Sequence, residues 1–112
     1  MTDIDPVALA EVATAVWRLR GRVPDDGPLA RHVRSVVDAL EQAGVTTHRY
    51  EAIPFDSGLA VRVLAFQPTD GIDREEVIET IRPGVSLHGN TVQLGEVIVG
   101  TPKGNEQEES AA

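Results

Sequence analysis

The residues that could do metal or nucleophilic chemistry are few and lie far apart in the chain. The three histidines are widely separated and belong to no metal-ligand motif: His32, His48 and His88. Ser57 follows Asp56, but no Gly-x-Ser-x-Gly elbow surrounds it, so a turn is the favoured interpretation. These residues predict neither a metal site nor a serine nucleophile.

Phosphate binding and paired-carboxylate chemistry are also disfavoured. The stretch 95–100, GEVIVG, has the glycine spacing of a phosphate-binding loop, but Thr101-Pro102 stands where Lys-Ser/Thr is required. The pairs Asp25-Asp26 and Glu75-Glu76 are adjacent in sequence, and neighbouring side chains on a loop or strand point in different directions. We therefore expect no enzyme activity, no cofactor and no bound metal.

Charge and composition restrict the partners. The 112 residues carry a net charge of −8, which disfavours nucleic acid and anionic membrane surfaces as ligands. The chain contains no cysteine, as is common in a reducing cytoplasm, and its acidic N-terminus has no apolar signal core. We expect a cytoplasmic protein that binds protein.

Two amphipathic helices are predicted in the first 44 residues. Asp5-Pro6 is a typical helix start, and Pro28 opens a second helix that Gly44 ends. Apolar residues recur at helical spacing in both segments, and the short loop between them favours an antiparallel pair.

Period-two patterns follow the helices. Residues 59–66 alternate as a strand, whereas residues 75–82 (EEVIETIR) fit either a strand or a helix, and the short length favours a strand. Residues 85–87 and 91–99 are predicted to be the two arms of a β-hairpin around His88-Gly89-Asn90. The fold class is thus α+β, with a helical hairpin over 1–44, a small, mainly antiparallel β-domain over 45–100, and a disordered acidic tail over 101–112.

Three segments in this order resemble the GrpE family, the nucleotide-exchange factors of DnaK-type chaperones. They are LARHVRSVVDALEQAGV, IPFDSGLAVRVL and VIETIRPGVSLHGNTVQLGEVIVG, and together they cover about residues 29–100. Gly44-Val45, Pro54-Phe55-Asp56 and the Gly84–Gly89 stretch match the family's motifs in order and spacing. The resemblance implies a GrpE head-like fold in a cytoplasmic chaperone system for protein folding and stress response.

The chain departs from the family at its last hairpin and at its N-terminus. Asn90 and Gln93 stand where family members carry arginines, and too few residues precede Arg22 for the family's long paired helix. Each lost arginine removes a charge-assisted contact of about 1.5–3 kcal/mol. The sequence therefore leaves two hypotheses open: a GrpE-like co-chaperone that promotes ADP release, and a diverged binding or regulatory module with the same fold but no exchange activity.

The resemblance implies a partner-binding surface on the hairpin and the Pro-Phe-Asp turn. Its expected residues are Phe55, Leu87, His88, Asn90, Gln93 and Val99. Asn90 and Gln93 are expected to be exposed, whereas plain sheet core is an equally good interpretation of Leu87 and Val99. A homodimer, which competes with a monomer, would form through the helices, with Val12, Val16, Val33, Val37 and Leu40 as contacts.

Overall fold

The first helix begins at the predicted cap. The structure, a computed structural model, describes residues 4–103. Helix α1 (Pro6–Arg22) is capped by Asp5, whose Oδ1 accepts the N–H of Val7 at 3.1 Å. Proline at the first helical position loses no hydrogen bond, so both predicted start signals are confirmed.

The second helix begins two residues later than its predicted start and ends where the sequence indicates. Helix α2 (Ala30–Gln42) has Leu29 at its N-cap, with no side-chain cap bond. Its last turn closes through the N–H of Ala43 on the carbonyl of Ala39, and Gly44 follows with φ +90°. A left-handed glycine after the last turn is a common helix stop.

Six strands follow the helices and form two small sheets. Their bounds are β1 (Val45–His48), β2 (Val61–Thr69), β3 (Glu76–Arg82), β4 (Gly84–Leu87), β5 (Asn90–Gln93) and β6 (Gly95–Pro102). One sheet has the order β1-β4-β5 and the other the order β2-β6-β3. Only the pairing of β2 with β6 is parallel among the strands of residues 4–103, so the α+β, mainly antiparallel prediction is confirmed.

The chain divides into two compact units. Within the described residues, the first unit holds everything up to His48 together with Pro83–Leu94, and the second holds Arg49–Arg82 and the residues from Gly95 onward. This division differs from the expected one at residue 44, because the hairpin strands belong with the helices. Thr101 and Pro102, expected in the tail, belong to β6, and residues 104–112 lie outside the described part.

Each unit has its own apolar core. In the first unit, Ala10 and Ala13 of α1 pack with Val45 of β1 and Val85 of β4. In the second, the fully buried residues are Val77, Val97 and Val99, and half-buried aromatic and aliphatic side chains pack around them. Small helical residues let α1 approach its sheet closely, whereas β-branched valines fill the pleated surface of the second sheet.

The strand interpretation of residues 75–82 is confirmed, and the continuous second arm of the hairpin is wrong. Strand β5 ends at Gln93, and after Leu94 the chain enters β6, which pairs with β2 and β3 in the other sheet. The period-two pattern of 91–99 runs through both strands, because alternation records which residues are buried and not which strand is the partner.

Candidate functional site

The hairpin tip is a two-residue turn. Leu87 of β4 pairs with Asn90 of β5, which leaves only His88 and Gly89 in the loop. Their φ angles are +50° and +84°, and positive values at both positions are what a type I′ turn requires. Asn90 is thus the first residue of β5 and not part of the turn. His88 and Asn90 are both exposed at the tip.

The tip is held against the turn that follows α2. The backbone N–H of His88 donates to the carbonyl of Gly44 at 2.8 Å. The His88 ring lies directly over Gly44, since a Cβ built on that glycine would overlap the ring Nδ1. Strand β1 starts at the next residue and pairs with β4 along its whole length. The exposed tip therefore has a fixed base.

Gln93 is part of this base, and the expectation that its side chain is exposed is wrong. The side chain is half-buried, and its Nε2 donates to Thr14 Oγ1 at 2.9 Å and to the carbonyl of Pro83 at 2.8 Å. The Thr14 hydroxyl in turn donates to the carbonyl of Ala10 at 2.8 Å. The amide thus joins β5 to the buried face of α1, and both of its N–H groups are used.

The two apolar residues expected on the hairpin surface are both at least half-buried. Leu87 is half-buried and packs against the core of the first unit. Val99 lies in β6 with 0% exposure, in the core of the second unit. Val99 therefore offers no surface to a partner, and the alternative that it is sheet core matches its position.

Phe55 belongs to an aromatic patch on the second unit. Its ring meets that of Phe66 edge to face, with centroids 5.8 Å apart and an interplanar angle of 75°. Phe55 is half-buried, whereas Phe66 is 55% exposed. Sequence reasoning missed Phe66, because β2 has one extra residue between Val63 and Ala65 that changes the simple alternation.

The segment before Phe55 is bonded along β3. The N–H of Ala52 donates to the carbonyl of Val77 at 2.9 Å, and the N–H of Val77 donates to the carbonyl of Ile53 at 3.0 Å. The N–H of Phe55 donates to the carbonyl of Glu75 at 3.0 Å. These bonds cover the beginning of the outer edge of β3, which would otherwise be an open strand edge.

A carboxylate strengthens the same attachment. Glu51 accepts a 3.1 Å bond from the N–H of Thr80 on one oxygen and a 3.1 Å bond from Arg49 Nε on the other. Partial burial raises the pKa of the Glu51 carboxyl, but hydrogen bonds from its own backbone, from Thr80 and from Arg49, with the charge of Arg49, outweigh burial and leave the pKa lowered. Burial also raises the pKa of the neighbouring Tyr50 hydroxyl.

The five residues expected at a helical dimer contact differ in exposure. Val12 is 53% exposed, whereas Val33 is 9% exposed. The other three, Val16, Val37 and Leu40, are half-buried and line one small space inside the first unit. An outer apolar stripe on α1 and the residues before it went unnoticed in the sequence: Ile4, Ala8, Val12, Ala15 and Leu19, all exposed and spaced three or four residues apart.

Metal-ligating and membrane-spanning features are not found in residues 4–103. Nowhere in this part of the chain do three or more His, Asp or Glu side chains come together as a metal site. No helix there has the length and apolar character needed to cross a membrane. One imidazole makes a side-chain hydrogen bond: His48 Nε2 and Ser86 Oγ lie 3.1 Å apart across β1 and β4.

Comparison with known proteins finds no family model that matches this chain, and no curated protein matches it.

Proposed function

We propose that this protein is a GrpE-like co-chaperone that docks its hairpin tip on the nucleotide-binding domain of a DnaK-type chaperone and promotes ADP release. The observation that carries the proposal is the exposed His88 and Asn90 pair on a turn whose base is hydrogen-bonded to Gly44. A tip of this kind presents polar groups in one geometry, so little conformational freedom is lost when a partner binds.

Exchange by such a module involves no covalent step. The tip would bind the open form of the nucleotide-binding domain more tightly than the closed form, and ADP would then leave faster. The protein would act in the cytoplasm, in protein folding and the stress response. Exchange requires only that the tip bind the open conformation of the chaperone with higher affinity than the closed one.

Exposed apolar side chains on the helices support a homodimer as part of this proposal. Ile4, Val12 and Leu19 expose more than half of their surface on one side of α1 and the residues before it, and Val36 of α2 is 46% exposed. Exposed apolar side chains at helical spacing are typical of a helix that packs against a second copy. We expect Val12→Glu to shift the mass measured by light scattering from dimer to monomer, whereas Glu11→Gln on the same helix leaves it unchanged.

The direct test is the release rate of a fluorescent ADP analogue from the host's DnaK-type chaperone. We expect saturable acceleration by this protein, and loss of that acceleration in the double variant His88→Ala with Asn90→Ala. The matched control is Gln67→Ala, an exposed polar residue on β2 of the second unit. Equal acceleration by wild type and the double variant would contradict docking through the tip.

A gain-of-function variant makes the test sharper. Asn90→Arg places a basic residue where the GrpE family carries one, and one charge-assisted contact is worth about 1.5–3 kcal/mol, so we expect at least tenfold tighter binding. Gln67→Arg introduces the same charge on the other unit and serves as the control. If neither arginine changes the affinity, the tip does not face the chaperone.

The diverged module without exchange activity is the second candidate, and one observation favours it. The hairpin carries no Lys or Arg between residues 84 and 94, and the Gln93 amide is engaged inside the first unit. A folded protein that binds the chaperone without accelerating ADP release would establish this candidate and exclude exchange.

A further inference from the structure

The arginines of this acidic protein are concentrated at one end of the helical hairpin. Residues 18–34 contain five of the chain's ten Lys and Arg residues and only two of its eighteen Asp and Glu residues. This stretch therefore carries +3 in a chain whose net charge is −8. The five residues are Arg18, Arg20 and Arg22 at the end of α1, and Arg31 and Arg34 at the start of α2.

These arginines are not neutralised within the first unit. All five are exposed, and the three ion pairs found within residues 4–103 involve other basic residues. Asp25 and Asp26 lie in the connecting loop, but neither is within ion-pair distance of an arginine in the described chain. Like charges repel one another, so an anion that binds among these arginines lowers the electrostatic free energy of the surface.

A small open cavity lies inside this arginine cluster. It has a volume of about 80 Å³ and is lined by Arg20 and Arg34, by Asp25, and by Val23, Ala30 and Val33. One water-sized group needs about 10–15 Å³, so the cavity has room for the carbons of an aliphatic side chain. Three of its six lining residues are apolar, among them the buried Val33, and two of the other three are arginines.

We propose that this arginine pocket binds an acidic peptide segment of a partner protein, with one aliphatic side chain of that segment in the cavity and its carboxylates on Arg20 and Arg34. Guanidinium groups pair with carboxylates in a bidentate geometry, and the apolar residues of the lining favour a peptide over an anion with no apolar part. The remainder of the protein is strongly acidic and repels a polyanion such as RNA, whereas a short peptide contacts only the basic end. The inference does not depend on the proposed chaperone function, because none of these residues belongs to the hairpin.

The test is fluorescence anisotropy of a labelled peptide rich in Glu with one central Leu. We expect binding to the full chain that weakens as ionic strength rises from about 0.05 M to about 0.5 M, since screening shortens the reach of each charge. We expect a neutral peptide with Gln in place of Glu to show no binding, and a peptide with Asp in place of the central Leu to bind more weakly.

Variants locate the site. Arg20→Glu together with Arg34→Glu should weaken binding of the Glu-rich peptide by about fivefold or more, because each change replaces an attraction by a repulsion. Arg74→Glu is the control, since Arg74 is exposed in the second unit and outside the arginine cluster. If the double variant fails to fold by circular dichroism, Arg34→Gln removes one charge without adding repulsion and should still weaken binding measurably.

Three outcomes would overturn the proposal. The first is absence of peptide binding to the wild-type chain at low salt. The second is equal weakening by the Arg20→Glu, Arg34→Glu double variant and by Arg74→Glu, which would indicate a response to net charge alone. The third is single-stranded RNA of similar charge competing as well as the peptide, which would make the cluster a general polyanion surface.

Discussion

The two units each tie a sheet to a neighbouring segment through one polar side chain, and the two ties differ in charge. In the first unit, the neutral amide of Gln93 donates to Thr14 and to the carbonyl of Pro83. In the second, the carboxylate of Glu51 accepts from Thr80 and Arg49. Each tie satisfies backbone or hydroxyl groups that are buried or half-buried, but only the second can be titrated.

Because of this difference, we expect acid to weaken the tie of the second unit and to leave that of the first unit intact. A glutamine keeps its hydrogen bonds at any pH at which the protein folds, whereas a glutamate with a lowered pKa loses its acceptor role in acid.

Gln93→Glu should have the largest effect. A carboxylate has no N–H group, so it leaves the Pro83 carbonyl and Thr14 Oγ1 without their donor and places negative charge beside two oxygens. We expect a loss of about 2–3 kcal/mol in the free energy of unfolding, measured by urea titration at neutral pH. A loss below about 0.5 kcal/mol would show that the amide contributes little to stability.

Gly44→Ala should cost about 2 kcal/mol, because alanine at φ +90° is strained and its Cβ would displace the His88 ring. Gly71→Ala is the matched control, since Gly71 has φ +83° but open space around it. We expect about 1 kcal/mol for the control, from backbone strain alone. Equal losses in the two variants would mean that the ring over Gly44 moves aside freely.

Glu51→Gln should cost about 1–2 kcal/mol at pH 7, through loss of charge-assisted bonds to Thr80 and Arg49. The folded-state pKa of Glu51 is lowered, so its contribution is present above the unfolded pKa and is lost as pH falls through the folded pKa. The difference in melting temperature between wild type and Glu51→Gln should therefore shrink on acidification below about pH 4.5. The Gln93→Glu variant, whose new carboxylate is protonated in acid, should instead regain stability over the same range.

Asn90→Asp should have the smallest effect on stability, below about 0.5 kcal/mol, because Asn90 is exposed at the tip. The same change should weaken chaperone binding if the tip is the docking surface. A large fall in melting temperature would show that the Asn90 side chain supports the hairpin. Asn90 and Gln93 are three residues apart on one strand, so the contrast between them tests the structure directly.

Local signals in the sequence predict the elements well. Asp5-Pro6 starts α1, Gly44 follows the end of α2, and the apolar alternation of residues 75–82 corresponds to β3. Glycine at position 89, where φ is +84°, marks the hairpin turn. Each of these signals acts over one turn of helix or a few residues of strand, so it can be recognised from neighbouring residues in the sequence.

Local sequence signals predict only part of the candidate site. Exposure of His88 and Asn90 follows from a polar turn, and both are exposed. The roles of Gln93 and Val99 do not follow, because they depend on partners that are distant in sequence: Thr14 is 79 positions from Gln93, and the strands flanking β6 begin at Val61 and Glu76.

The sequence by itself determined the α+β composition, the helix ends, the position of the hairpin turn and the acidic charge balance. The tertiary structure decided which strands pair, that residues 91–99 divide between two sheets, and that two arginines from different helices meet at one cavity. The physical reason is that capping, turn preference and burial period are properties of neighbouring residues. Strand pairing and side-chain hydrogen bonds are instead selected by the free energy of the whole packed chain.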